Sequence, residues 1–170
     1  MDSTFEPINL YELNESVFRL LDKDWMLVTA GIQGNYNMMT ASWGGMGVLW
    51  NKQVAFIFIR PQRHTYSFAE KYPCLTLTFF SENHRHLLQT CGSRSGQDIN
   101  KMKLEGLTPI VTDGEAVAFE EARLIFECRK LYFDDIKPAQ FLKKEIDKNY
   151  PAKDYHRMYI CEITKAYKKK

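Results

Sequence analysis

The apolar positions of this chain fall mostly at strand spacing. Residues 53–59, QVAFIFI, form an almost unbroken apolar run, which reads as a strand covered on both faces. CLTLTFF (74–80) sets Leu75, Leu77 and Phe79 against Thr76, Thr78 and Phe80, a period of two. WMLVTAGI (25–32) is rich in strand formers and leads into Gly34-Asn35, a turn signal. NMMTASWGG (37–45) begins like another strand, but its glycines point to backbone crowding or a loop. In the second half a turn at Asp113-Gly114 precedes two long strands, EARLIFECRKLYF (121–133) and YHRMYICEITKAY (155–167).

Helical spacing is sparse. ELNESVFRLL (12–21) places Leu13, Val17, Leu20 and Leu21 on one side of a short amphipathic helix. Pro61 ends the 53–59 strand because proline cannot donate to a ladder, and Thr65–Lys71 then reads as a helical turn or two. Ser81 can cap a helix that includes His86, Leu87 and Leu88. CGSRSGQD (91–98) reads as a loop, and 98–103 restarts a short helix. Pro138 can open a helix over 139–146, since proline is tolerated in a first turn.

Five or six strands with few helices predict a mainly β fold, a closed or nearly closed barrel. The connections are too short and irregular for repeating βαβ units. No repeat, low-complexity tract or linker divides the chain, so residues 1–170 are expected to form one domain, with a solvated basic tail at 168–170. At 170 residues such a domain buries roughly 70% of its unfolded surface and needs neither disulfide nor metal.

Charge and cysteine usage narrow the functional classes. A net charge of +2, from 23 basic and 21 acidic residues, gives no concentrated field for nucleic acid. Cys74, Cys91, Cys128 and Cys161 form no CxxC pair and suggest no zinc cluster. His84 and His86 lie two positions apart, which is not the helical spacing of a metal pair. The start MDSTFEPINL lacks the pattern of a signal peptide, and no run of 18 apolar residues offers a membrane span. The expectation is a cytoplasmic protein with reduced thiols and no nucleic-acid or membrane partner.

Three segments carry candidate chemistry. Asn37-Met38-Met39-Thr40-Ala41-Ser42-Trp43 gathers small hydroxyl and amide groups beside Gly44-Gly45, suited to a flat heterocycle; a polar turn beside a core tryptophan would look the same. Arg60-Pro61-Gln62-Arg63-His64-Thr65 follows the most hydrophobic strand and leads into a helix start, a setting that suits a phosphate or, equally, a solvated loop. Cys91-Gly92-Ser93-Arg94-Ser95-Gly96-Gln97-Asp98, with Lys101 beyond, could form a second anion cradle or a plain loop. It lacks the Lys-Ser or Lys-Thr ending of a P-loop.

Taken in order, NMMTASW (37–43), RPQRHTYSF (60–68), CGSRSGQDINKM (91–102), GLTPI (106–110), FEEARLIFECRKLY (119–132) and KDYHRMYICEI (153–163) resemble the flavin reductase-like family. The resemblance runs from Trp25 to about Ile163. It implies an FMN-binding split β barrel with a few short peripheral helices, working as a homodimer with FMN near the subunit interface. It further implies that 37–43 lines the isoalloxazine ring and ribityl chain, while 60–65 and 93–101 handle the phosphate. Carried over by position, the implied contacts are Asn37, Met39, Thr40, Ala41, Ser42, Arg60, Arg63, Thr65, Ser93, Ser95 and Lys101.

The family includes reductases that pass reduced flavin to a partner oxygenase and flavoredoxin-like electron carriers that keep their FMN. The implied activity is therefore hydride transfer from NADH or NADPH to FMN N5, with electron transfer from a redox partner protein, or FMN binding without catalysis, as alternatives. Hydride transfer requires no acid–base residue, so no catalytic group is assigned. His64, His84, His86 and His156 remain as helpers, and His156 reads first as a structural hydrogen bond within the barrel.

Overall fold

The computed structural model describes residues 4–170. Ten strands form: β1 (Phe5–Pro7), β2 (Met26–Ile32), β3 (Asn35–Ala41), β4 (Gly44–Leu49), β5 (Lys52–Ile59), β6 (Cys74–Phe79), β7 (Pro109–Val111), β8 (Val117–Phe119), β9 (Leu124–Asp135) and β10 (Arg157–Lys169). β2, β3, β5, β6, β9 and β10 fall where strand formers, alternation or apolar runs place them, whereas β4 forms where the glycines read as crowding or a loop. The count exceeds five or six because NMMTASWGG divides between β3 and β4, and because three-residue strands leave no periodicity to read.

The main sheet runs β3-β2-β6-β9-β10-β5-β4, with β1 also on β10, and β7-β8 form a separate hairpin. Its two outermost strands, β3 and β4, are neighbours in the chain, joined only by Ser42-Trp43. Laid flat, six gaps of about 4.8 Å would hold them about 29 Å apart. Three Cα–Cα steps from Ala41 to Gly44 reach about 11 Å at most. The sheet must therefore curl until its ends nearly meet. They are not hydrogen-bonded to each other, so the barrel stays split at residues 42–43.

The interior confirms the curl. Val28 of β2, Met39 of β3, Ile57 of β5, Leu77 of β6, Phe126 of β9 and Tyr159 of β10 belong to one buried cluster. Residues on strands so far apart in a sheet meet only inside a barrel. A second cluster covers the outer face of β2, β3, β6 and β9 with β7-β8 and a helix, joining Leu27, Met38, Leu87, Leu88, Phe119 and Ile125. Both faces of β6 are consequently buried. Its outward threonines find partners there: Thr76 Oγ1 donates to the Val117 carbonyl (2.5 Å) and Thr78 Oγ1 to that of Leu27 (3.2 Å). Truncating a central residue such as Leu77 to alanine should cost about 2–5 kcal/mol.

Helices are shorter than their patterns suggest. Residues 12–21 do not form one helix; the chain makes a 3-10 turn at Leu10–Glu12, then α1 (Val17–Arg19), continued by a π turn at Leu20–Asp24. Its N-terminus is set by Ser16, whose Oγ accepts from Arg19 N. α2 (His64–Lys71) matches expectation, and α3 (Arg85–Ser93) includes Leu87 and Leu88. Ser81 does not cap α3 with its side chain; its carbonyl accepts from His84 N in a preceding 3-10 turn, and its hydroxyl faces His84 Nδ1 at 3.2 Å. Cys91–Ser93, read as loop, form the last turn of α3, because Cys91 is an apolar residue fully buried under β3. Of 98–103 only Lys101–Lys103 is helical, a single 3-10 turn. The 139–146 helix is absent: two 3-10 turns, Pro138–Gln140 and Lys144–Asn149, replace it; Phe141 packs on Tyr150 and Tyr155 while the neighbouring Leu142 is fully exposed. At the basic end, Lys168 and Lys169 of β10 pair with Glu6 and Phe5 of β1, so the backbone is laddered; both side chains are exposed, and Lys169 Nζ donates to the Glu120 carbonyl at 2.7 Å.

Among the described residues, no helix is long and apolar enough to cross a membrane, and no group of three His, Cys, Asp or Glu is placed to hold a metal ion. All four cysteines are free thiols, three of them buried.

Candidate functional site

The three candidate segments converge on β3 beside the split, and much of their polar chemistry is spent holding them together. Asn37 is buried, and its Nδ2 donates to Thr65 Oγ1 at 2.7 Å, tying β3 to the first turn of α2. Gly96 packs on the same side chain; a Cβ there would sit 2.2 Å from Asn37 Oδ1, so only glycine allows the approach. Thr40 Oγ1 donates to the Leu88 carbonyl at 2.5 Å, fixing β3 to α3.

The C-terminal carbonyls of α3, which lack helical partners, are met by two cations. Arg63 donates from Nη1 to the Gly92 carbonyl (2.9 Å) and from Nη2 to that of Cys91 (3.1 Å). Lys101 Nζ donates to the same Cys91 carbonyl (2.8 Å) and to that of Met38 (3.0 Å). Positive charge at a helix C-terminus is favourable in itself. Lys101 is nonetheless buried, and desolvation pulls its ammonium down to about 8.

Two adjoining hollows lie against β3. The smaller, about 170 Å³, is lined by Met39, Thr40, Ala41, Ser42, Trp43, Phe58, Arg60, Arg63 and His156. The larger, about 430 Å³, is lined by Trp25, Thr40, Ser42, Leu88, Gln89, Gly92 and Ser93 and carries no ionisable side chain. Thr40 and Ser42 line both. Since β3 is the last strand of the sheet, one edge of its backbone N–H and C=O groups has no strand partner.

Arg60 is aimed by its own shell. Its Nη1 donates to Asp154 Oδ2 (2.7 Å), its Nη2 to the Asn149 carbonyl (2.9 Å), and the guanidinium lies 5.0 Å from the Tyr150 ring centroid. Gln62 also donates to Asp154, and the Arg60 bond holds the Asp154 carboxyl below its usual range. Each arginine uses two of its five donors in these contacts, leaving three. His156 sits against them: its Nδ1 is 2.9 Å from Tyr150 Oη, and its ring is 5.4 Å from that of Trp43. Burial, helped by the Arg60 charge, pushes the imidazole down to about 4, so it is neutral at pH 7.

Of the residues singled out in sequence, Met39, Thr40, Ala41, Ser42, Arg60 and Arg63 come together around the smaller hollow. Asn37, Thr65 and Lys101 lie behind it, buried and bonded to the protein. Ser93 lines the neutral hollow instead, its Oγ donating to the Gln89 carbonyl. Ser95 lines neither; its Oγ accepts from Gln97 N at 3.2 Å. Sequence reasoning missed Trp25, Phe58, Tyr150 and Asp154; His156 makes the structural hydrogen bond expected of it, to Tyr150, and also lines the smaller hollow. The β5–β10 register pairs Arg157 with Ile59, which brings the preceding His156 beside Arg60. Only strand pairing reveals that neighbourhood.

The same fold recurs in known structures. The FMN-binding domain of a flavin reductases-like enzyme from Shewanella baltica OS155 aligns with a TM-score of 0.70 at 19% identity, over 99% of this chain and 79% of that one. Flavoredoxin from Methanosarcina acetivorans gives 0.68 at 18% identity, over 97% and 76%. The NADH:FAD oxidoreductase of Streptomyces globisporus C-1027, in complex with NAD and FAD fragments, gives 0.64 at 12%, over 85% and 74%. At these identities the likeness is one of fold. Among curated proteins none matches the chain. A family model described as the flavin reductase like domain matches residues 18–170, which takes in the whole split barrel from β2 to β10. The chain belongs to the flavin reductase-like family.

Proposed function

We propose that this protein binds FMN along the free edge of β3 and acts as an NAD(P)H-dependent flavin reductase. The observation that carries the reading is that the hollow beside Arg60 and Arg63, each with spare donors, and a neutral hollow share Thr40 and Ser42 on a strand edge with no strand partner. That donor set fits an anionic phosphate joined to an uncharged heterocycle. Bound FMN would supply the two-electron chemistry of a flavin ring, accepting hydride from NADH or NADPH.

The protein's own part is placement. Arg60 and Arg63 would take the phosphate oxygens through charge-assisted bonds. Backbone groups on the edge of β3 that no strand covers, near Thr40–Ser42, would orient the polar edge of the ring. Neutral His156 adds no positive charge at neutral pH, and with Trp43 and Phe58 it narrows the smaller hollow against water. Trp43, at the site, exposes 49% of its surface, and Val48 and Trp50, toward the far end of β4, expose 66% and 53%. Exposed apolar side chains along this edge strand suit a homodimer contact. Free, mostly buried thiols suit a reducing compartment such as the cytoplasm.

Anaerobic stopped-flow reduction of the FMN-loaded protein tests the reading. Rapid bleaching of the flavin by NADH or NADPH supports a reductase. FMN that neither nicotinamide reduces, but a small reduced electron-carrier protein does, makes it a flavoredoxin-like carrier. Absence of measurable FMN affinity refutes both.

A further inference from the structure

Trp25 stands where the π turn at Leu20–Asp24 enters β2, and its backbone adopts φ 64° and ψ 152°. That region belongs almost wholly to glycine, because a Cβ there crowds neighbouring backbone atoms. One arginine holds the strained residue. The Arg85 guanidinium lies 4.3 Å from the indole centroid and donates to the carbonyls of Lys23 and Asp24, while Glu82 accepts from it at 3.0 Å. The indole N–H donates to the Asp22 carbonyl at 3.2 Å. Backbone and ring orientation are thus fixed together. Burial alone does not call for this arrangement: Trp25 is only half-buried, while Met26 beside it is fully buried in ordinary strand conformation. Strained, over-determined residues of this sort gather where ligands are clamped. The indole forms a wall of the neutral hollow, which Arg85 does not reach.

We infer that Trp25 is a binding residue for the flavin: the isoalloxazine ring lies in the neutral hollow against the indole, and the ribityl chain passes Thr40 and Ser42 to a phosphate at Arg60 and Arg63. The inference rests on the FMN reading above. It follows from how the two hollows divide their chemistry. The space beside the arginines is cationic and, at about 170 Å³, small for a tricyclic ring with its chain. The space beside Trp25 is about 430 Å³ and uncharged, as a neutral flat ring requires. Thr40 and Ser42, common to both, mark the passage between them.

The test compares wild type with Trp25→Gly, Trp25→Phe and Trp43→Phe, measuring dissociation constants for FMN and riboflavin and the emission of bound flavin. Glycine suits the Trp25 backbone, so Trp25→Gly removes the ring without adding strain, and a melting curve verifies its fold. Expected is a similar loss for both ligands, roughly tenfold, since the ring is common to them. Bound-flavin emission should rise, because a stacked indole quenches it. Trp25→Phe should recover most of the affinity. Unchanged constants and emission in Trp25→Gly, with both altered in Trp43→Phe, would seat the ring between Trp43 and His156 and overturn the inference. Wild type that takes up no FMN would overturn the underlying reading, and that result is visible before any variant is compared.

Discussion

The ammonium of Lys101 lies 2.8 Å from the backbone carbonyl of Cys91, and its second hydrogen bond, to Met38, also ends on a carbonyl. A cation in this position is solvated by peptide dipoles alone, with the Cys91 thiol and the Arg63 guanidinium as its ionisable neighbours. The folded protein therefore loses the Lys101 proton near pH 8, and the unfolded chain holds it to about 10.5. Between those values the unfolded state binds more protons, so the Lys101 contribution to stability rises with pH. Denaturation of wild type and Lys101→Met at pH 7.5, 8.5 and 9.5 should show wild type gaining on the variant. A flat or falling difference would mean that the ammonium is solvated by something other than these carbonyls.

Arg63 is expected to do two things at once. Replacing it with alanine leaves the Gly92 carbonyl without its donor and the Cys91 carbonyl with Lys101 alone, and should lower stability by about 1–3 kcal/mol, seen as a lower melting temperature. It should also weaken FMN by roughly 1.5–3 kcal/mol through loss of a charge-assisted bond, while riboflavin, lacking the phosphate, is barely affected. Paired dissociation constants decide. Equal losses would restrict Arg63 to holding α3.

His156 should titrate near pH 4, against 6.5 in the unfolded chain. In that interval the unfolded state takes up more protons, so stability falls as pH drops from 6.5 towards 4. The shift amounts to roughly 3 kcal/mol at the acid end. Imidazole proton shifts followed by NMR give the titration directly. The excess acid sensitivity of wild type over His156→Asn gives its energetic counterpart, and a midpoint above 6 would contradict the buried, neutral assignment.

Two glycines of the β2–β3 hairpin should respond differently to alanine. Gly31 has φ +124°, and a Cβ would meet the Asn35 carbonyl oxygen at 2.4 Å, a backbone atom that cannot swing aside. Gly34 has φ +79° with nothing within 4 Å. Gly31→Ala should cost about 3 kcal/mol or more, and Gly34→Ala about 1 kcal/mol, as read by chemical denaturation.

Strands were legible wherever side chains alternate or run apolar, and β5, β6, β9 and β10 stand within a few residues of their patterns. Helices were less so. Residues 139–146 follow Pro138 and are rich in helix formers, yet only Phe141 packs, on Tyr150 and Tyr155, while Leu142 and Ile146 are exposed, and propensity without a buried stripe makes no helix. At the site, segments 37–43 and 60–65 stood out through clustered hydroxyls and arginines. What stayed hidden depends on partners distant in sequence. Whether Thr65 faces a ligand or Asn37, and whether Lys101 meets an anion or a helix end, is decided by packing. Trp25 carries no local mark at all, since its significance lies in a dihedral angle and in Arg85, sixty residues away.

The two-residue link at Ser42-Trp43 also bears on how the molecule is assembled. The hairpins β2–β3 and β4–β5 are adjacent in the chain, yet they attach to opposite sides of the β9–β10 pair, whose strands come last in order. On the ribosome, the first sixty residues can at most form two tethered hairpins with exposed edges. Only when β10 emerges, at Arg157–Lys169, can β5 be joined to the rest and the wall drawn shut. Closure over such separations is entropically slow, with millisecond-to-second kinetics typical of barrels. Until then the edge of β5 that β10 later covers is open to any other chain nearby, which makes the nascent form the stage most exposed to misassociation.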